Sequence, residues 1–262
     1  KAAALRKASW RLLPLLGLGY GMAYIDRANI GYAALQMSAD LRFSATVYGL
    51  GGGLFFLSYA LLEVPSNMML VRFGARRWIA RIMLTWGVLA TGMMFVKTPM
   101  QFYVMRFLLG AAEAGFAPGV FYYLTRWFPT YERGRATTRF YVALPLSTIV
   151  MGASAGALLN LDGLFGLAGW QWLFLIEGMP AVLLGLCVFF LLPDSPAHAQ
   201  WLTASEKGWI EDRLAADRSM PGVSADHGFL RALSDKRVLL LGLCNVCIMG
   251  GSYAFILSTP AV

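Results

Sequence analysis

The chain has 262 residues, of which 58% belong to the hydrophobic AVILMFWYC set and only 14% are charged, where a soluble domain carries about a quarter. Its net charge of +8 would suit a nucleic-acid partner if the cations formed one face, but they are bunched between long apolar runs. That composition excludes an ordinary soluble domain and a nucleic-acid binder, and points to an all-α polytopic membrane protein.

Residues 1–11 form an N-terminal tail carrying Lys1, Arg6, Lys7 and Arg11. Apolar runs of about 20 residues, enough for a ~30 Å hydrocarbon core, predict spans at 12–36, 46–70, 77–96, 101–125, 138–160 and 168–192. A six-helix bundle over 12–192 is the result. The first run is too long for the apolar core of a signal peptide and is interrupted by Asp26 and Arg27. The charged stretch 193–236 is a soluble connector, opened by LPDSP, whose prolines discourage further helix. Thr203 and Glu206 have capping-box spacing, and Trp209, Ile210 and Leu214 share one face of the helix that follows, suited to lying against membrane or bundle. SMPGVSADHG, 219–228, reads as flexible linker, and His198 and His227 lack metal-ligand spacing. A truncated seventh span occupies 237–262; Cys187 and the CNVC cysteines Cys244 and Cys247 read as small packing residues rather than redox groups. Starting on Lys and stopping near the end of a span, the chain reads as a fragment at both ends.

Lys1, Arg6, Lys7, Arg11, Arg72, Arg76, Arg77, Arg81, Arg126, Arg133, Arg135 and Arg139 would lie on one side, against Arg42 and Lys97 on the other. Twelve against two predicts a cytoplasmic N-terminus. Gly115–Gly119 and Gly152–Gly156 have GxxxG spacing, which lets helices approach closely, and Pro65, Pro118, Pro145 and Pro180 mark points where spans can kink.

Six ionisable residues fall inside the predicted spans: Asp26, Arg27, Glu63, Arg106, Glu113 and Glu177. A mid-span charge costs about 2.5–3.5 kcal/mol on insertion scales, so such groups are paired, solvated by a cavity or functional. At about 100° per residue, Tyr20, Tyr24, Arg27 and Gly31 share a stripe while Asp26 points about 100° away. Asp26 and Arg27 therefore do not simply neutralise each other. Arg106, Gly110 and Glu113 share a stripe of the fourth span, its two charges about 10 Å apart along the axis and too distant to pair unless both side chains bend. Tyr59 and Glu63 share a face of the second. Arginine keeps its proton and presents a planar fork to a carboxylate, which suits it to holding an organic anion. Asp26 and Glu113, in a dry site, are suited to exchanging protons, and a carboxylate that changes partners with Arg106 would couple the two movements. Structural ion pairs are the alternative, disfavoured because buried pairs often cost stability. For Glu63 and Glu177 the two readings stand level.

YIDRANIGYAAL, SYALLEVPSN, ARRWIARIMLTWG, RFLLGAAEAGFAPG, ERGRA, GWQWLFLIEGMPA and LPDSPAHAQWLTASEKGWIEDRL occur in that order. With these motifs the chain resembles the anion:cation symporters of the major facilitator superfamily, in the tartrate, phthalate and sugar-acid branch, over essentially its whole length. The resemblance implies twelve spans in two six-helix halves with substrate between them; this chain would supply the N-terminal half, the central loop and part of span seven. It implies proton-coupling carboxylates at Asp26 and Glu113 with Arg106 as partner, a substrate ligand at Arg27, and cavity tyrosines at Tyr24 and Tyr59, with Tyr20 on the same stripe. The superfamily signature G-x-x-x-D-R-x-G-R-R reads NMMLVRFGAR at 67–76. Arg72, Gly74 and Arg76 remain, with Arg72 and Arg76 expected at a cytoplasmic gate, but Val71 stands where the gate aspartate belongs. In the fifth span VALPLSTI offers Ser147 or Thr148 as the polar cavity residue, which leans the substrate toward a smaller or less hydroxylated acid.

The expected function is secondary active transport: import of a small organic anion, a carboxylate such as tartrate or a sugar acid, with H⁺ or Na⁺, by a monomer in a bacterial inner membrane. No cofactor, metal or nucleic acid is expected. An antiporter or exporter of another ligand is the alternative, against which MGASAGALL holds no Gly-Pro repeat. A non-transporting sensor of the same fold is another. An enzyme would need a nucleophile–base pair or metal cluster, and the predicted spans contain no histidine.

Overall fold

The protein, as a computed structural model, is described at residues 2–219 and at 236, 237, 239–244, 247, 248 and 251. The linker after Ser219, His227 and much of the seventh span lie outside the described residues.

The first helix, α1, runs Ala2–Leu41. Ala4, Leu5, Ala8 and Leu12 are buried at helical spacing while Arg6, Lys7 and Arg11 are exposed, so residues 2–11 are the opening turns of α1 rather than a separate tail. Arg42, at φ 55°, turns the chain, and the Ser44 hydroxyl accepts from the Val47 N–H at 3.3 Å to start α2, Ala45–Phe73. Only Gly74 separates α2 from α3, Ala75–Gly92; its φ of 89° is left-handed territory that glycine occupies at little cost. Thr98, Pro99 and Gln101 build a capping box for α4, Pro99–Glu113.

The predicted fourth span is broken. The helix stops at Glu113, turns through Gly115 at φ 86° and resumes as α5, Phe116–Thr125. Pro118 has no N–H for the Ala114 carbonyl, so the ladder is interrupted where glycine can make the turn. Helix α6, Thr130–Tyr141, and α7, Ala143–Leu159, are separated by Val142 alone and carry the fifth span back to Thr130. Helix α8 is Gly169–Leu191 and α9 is Ala204–Arg218.

Among the described residues, five helical runs, Ala45–Phe73, Ala75–Phe95, Pro99–Thr125, Thr130–Leu159 and Gly169–Leu191, are long and apolar enough to cross a membrane by length and composition. With charges in its middle and at its start, α1 is less apolar, yet it packs along α7 and α8 within the bundle. The most extensive other pairings are α3 with α8 and α2 with α4. Exposed Leu61, Met68, Ile149 and Phe190 give α2, α7 and α8 an apolar exterior, as expected where lipid or further apolar protein is the surroundings. Cys187, Cys244 and Cys247 are free and exposed, and Cys187 faces outward from α8 rather than packing inside this bundle as the sequence reading expected. The two GxxxG pairs differ: a Cβ on Gly115 or Gly119 would strike Ser66 or Leu70 of α2, whereas Gly152 and Gly156 face open space.

The connector closes one end of the bundle. Ile210 and Leu214 of α9 are buried in the main core, Trp201 stacks on Trp127 with ring centroids 5.6 Å apart, and Lys7 Nζ lies 2.7 Å from Glu206. At the start of α6, Asp217 accepts from the Thr130 N–H at 2.6 Å and from the Thr130 hydroxyl at 2.9 Å. The Thr130 backbone bond holds the Asp217 carboxyl below its ordinary range, and the Lys7 ammonium does the same for Glu206. A carboxylate with a depressed folded pKa stabilises above its unfolded value and loses that contribution as pH falls through the folded one. Docking of α9 is therefore full at neutral pH and weakens only in acid. Asp217→Asn should raise hydrogen exchange across Ala204–Arg218 at neutral pH about fivefold, the scale of about 1 kcal/mol for a screened, exposed contact. Unchanged exchange would show that Asp217 adds nothing to the hold that Ile210, Leu214 and the Lys7–Glu206 pair have on α9.

Candidate functional site

The charges singled out from the sequence converge in the middle of the bundle. Arg27 and Glu113 form an ion pair across α1 and α4, Nη2 to Oε1 2.8 Å, with the Arg27 side chain 19% exposed and Glu113 wholly buried. The Arg27 guanidinium also lies over the Tyr59 ring of α2, 4.9 Å from its centroid, which adds a cation–π contact. Glu63, one turn further along α2, is half-buried within the field of Arg27.

Asp26 faces elsewhere, as its 100° offset requires. It is 3% exposed, its electrostatic neighbours are Glu113, Arg106 and Arg27, and the Trp86 indole of α3 is beside it. Arg106 is 2% exposed and lies over the Phe55 ring, 4.7 Å from its centroid, in the fields of Asp26 and Glu113 and near the neutral Tyr48 phenol. No ion pair within 4.0 Å engages Arg106 among the described residues, in keeping with the axial separation expected of Arg106 and Glu113. Gly110, between them on the same stripe, lets α4 come so close to α2 that a Cβ there would collide with the Phe55 carbonyl and the Ser58 hydroxyl.

The remaining predicted residues are dispersed. Tyr24 is half-buried on α1 and takes no part in the ion pair. Tyr20 sits about 10 Å along the axis from Arg27, in an aromatic cluster with Phe140 at 4.7 Å and Tyr141 at 5.7 Å. Ser147 is buried against Gly21 of α1, its hydroxyl donating to the Leu144 carbonyl at 2.8 Å. It borders an 810 Å³ groove between α1 and α6–α7, lined by Trp10, Gly17, Gly21, Arg139 and Val150 among others. Arg76, at the α2–α3 turn, contacts Asp194 just beyond α8: its backbone N–H donates at 3.2 Å and its Nε lies 3.4 Å away. Asp194 thus supplies an acidic partner where the turn signature has Val71. Arg72 stacks on its neighbour Phe73 at 5.7 Å. Sequence reasoning missed Asn29, Trp86 and Tyr48. Asn29, a carboxamide one turn from Asp26 in an apolar run, was the one with a visible signal.

A bundle of membrane-length helices with a charge cluster at its centre, reachable at one arginine, is the build of a membrane solute carrier. The family follows from comparison: a family model described as Major Facilitator Superfamily matches residues 16–262, and the chain belongs to that superfamily, a family of transporters rather than enzymes. It is 47% identical over its full length to a protein of Agrobacterium vitis provisionally named a tartrate transporter, covering 58% of that protein. It is 50% identical over 95% of its length to the provisionally named metabolite transport protein NicT of Pseudomonas putida, covering 57% of it. A quinolone resistance transporter of Acinetobacter baumannii is 44% identical over 98% of the chain, which covers 59% of that relative. The chain thus spans less than two thirds of the length of these relatives. The solved structure of a bacterial homologue of the human lysosomal transporter Spinster, inward-facing and unoccupied, shares the fold with TM-score 0.67 and 23% identity, over 78% of this chain and 47% of that one.

Proposed function

We propose that the whole protein is a secondary active transporter importing a small organic anion together with a proton by alternating access. The Arg27–Glu113 pair carries the reading, because a partly exposed guanidinium is held over a fully buried carboxylate. An incoming carboxylate competes with Glu113 for Arg27. Once displaced, Glu113 is an uncompensated charge in a dry interior unless it takes a proton, so anion binding and proton binding favour each other. Asp26 and Arg106 extend the exchange within the bundle, Tyr59 and Tyr24 flank the anion, and Tyr20 and Ser147 line its path. The name of the tartrate-transporter relative supports a small carboxylate as cargo.

The N-terminus is proposed to be cytoplasmic in a bacterial inner membrane, the protein acting as a monomer, with Arg72 and Arg76 at the cytoplasmic gate. Contacts of Lys7 with Glu206, Thr130 with Asp217 and Arg76 with Asp194 support this, since they gather the arginine-rich connections at one end of the bundle. The quinolone resistance relative favours a second reading, export of another ligand.

Proteoliposomes of the whole protein, loaded with a pH dye and without an imposed proton gradient, test both. Tartrate, hexonates, hexarates and aromatic acids are added in turn. Internal acidification with one of them, lost in Asp26→Asn, is the expected result. Sodium-dependent uptake without acidification would discard the proton, and quinolone efflux without uptake of any acid would establish the second reading.

A further inference from the structure

The charges buried in the bundle do not balance. Around its centre, buried Asp26 and Glu113 and half-buried Glu63 and Glu177 stand against two guanidiniums, buried Arg106 and half-buried Arg27. Arg27 is engaged with Glu113, and Arg106 lies in the fields of Asp26 and Glu113. Neither guanidinium is a neighbour of Glu177. Its charged neighbour is Asp26, and its polar neighbour is Asn29.

These side chains meet because of helix register. Asp26 and Asn29 are three residues apart, about 60° around α1, and α1 packs on α8. From the other side, α3 packs on α8 so closely that a Cβ on Gly178, next to Glu177, would lie 2.6 Å from the Thr91 hydroxyl. All charges of α3, Arg76, Arg77 and Arg81, sit in its opening turns, and α7 has none. Asp26 is thus the titratable group that faces Glu177 from the packed helices. Asn29 is 1% exposed. Among the described residues, no hydrogen bond within 3.5 Å reaches the buried carboxyl oxygens of Asp26 and Glu177 or the polar atoms of Asn29; the donors facing them at longer range are the Trp86 indole for Asp26 and the Asn29 carboxamide for Glu177. A dry interior does not tolerate two unneutralised carboxylates, one in the field of the other, unless a cation is bound with them. A proton is the cation that two carboxyls and a carboxamide can hold without further ligands. Asn29 suits that role: its amide N–H₂ donates to a carboxylate and its carbonyl accepts from a carboxylic O–H, without a charge of its own.

We propose that Asp26, Asn29 and Glu177 form an internal proton site on the α8 side of α1, separate from the anion ligand Arg27, in which one proton passes between the two carboxyls against the Asn29 carboxamide. Glu177 becomes a further proton carrier in series with Asp26, beside Glu113. Only the use of this site in transport rests on the proton-coupled reading above; its proton occupancy does not.

Infrared spectroscopy of the whole protein in membranes tests it. At neutral pH a protonated-carboxyl stretch is expected that Glu177→Gln removes, Glu177→Asp retains, and Asn29→Ala shifts in frequency. In the transport assay, coupled carboxyls titrate in two macroscopic steps. Glu177→Gln should remove one step from the pH profile of anion uptake. A band unchanged in both Glu177→Gln and Asn29→Ala would overturn the site, as would a band abolished by sodium at constant pH. If no acid drives proton uptake in the parent yet the band behaves as expected, the transport reading has failed and the site stands.

Discussion

Arg27→Ala should weaken anion binding about 100-fold, the equivalent of about 2.7 kcal/mol, as expected for losing a charge-assisted, two-pronged contact. The loss has two sources, and a second substitution separates them. Removing Arg27 takes away the ligand and also strands Glu113, which is wholly buried and meets the guanidinium at 2.8 Å. Breaking one side of a buried pair costs about 3–5 kcal/mol, much of it the isolated partner's charge. Arg27→Ala alone should therefore express poorly and melt early. Arg27→Ala with Glu113→Gln removes the stranded charge and should recover much of the stability but none of the affinity. Thermal unfolding in detergent and anion binding by calorimetry on the four proteins of this cycle give both numbers. Recovery of affinity together with stability would mean that Arg27 serves only to lock α1 to α4.

How much of this was legible beforehand depends on whether a feature belongs to one helix or to two. The divergence of Asp26 from Arg27 follows from 100° per residue, and the two side chains do face different helices, α3 beside Asp26 and α2 with α4 around Arg27. The lack of a direct Arg106–Glu113 pair follows from 1.5 Å rise per residue in the same way. Hydropathy, by contrast, reads AAEAGFAPG as continuous span, although Gly115 and Pro118 break it immediately after Glu113. A window average does not register the loss of one N–H. The opening turns of α1 were hidden by their lysine and arginines, whose charges mask the buried spacing of Ala4, Leu5 and Ala8. Which carboxylate Arg27 would choose, and that Asp194 would reach Arg76, depended on interhelical register that no periodicity encodes.

At Gly110 this register rests on an approach to backbone rather than to a side chain alone. It lies one turn from both Arg106 and Glu113, and the atoms a Cβ would meet are the Phe55 carbonyl and the Ser58 hydroxyl of α2. The hydroxyl already donates to that same carbonyl at 2.9 Å, so the two are fixed together, and a backbone oxygen has no rotamer by which to retreat. Gly110→Ala must therefore push α2 from α4, where a surface glycine-to-alanine change in a helix would stabilise by about 0.5–1 kcal/mol. Overpacking of this kind costs about 1–3 kcal/mol and should lower the melting midpoint by about 5 °C or more. The displacement also carries Tyr59 off the Arg27 guanidinium and Phe55 off Arg106, contacts of 4.9 and 4.7 Å, so anion affinity should fall with stability. Gly208→Ala in α9, where nothing lies within 4 Å, is the control and should leave both unchanged or slightly raise stability. Adding Ser58→Gly to Gly110→Ala clears the hydroxyl but not the Phe55 carbonyl, so only partial rescue is expected. Full rescue would place the constraint in the side chain and leave the α2–α4 backbone approach without a role in holding Arg27 and Arg106.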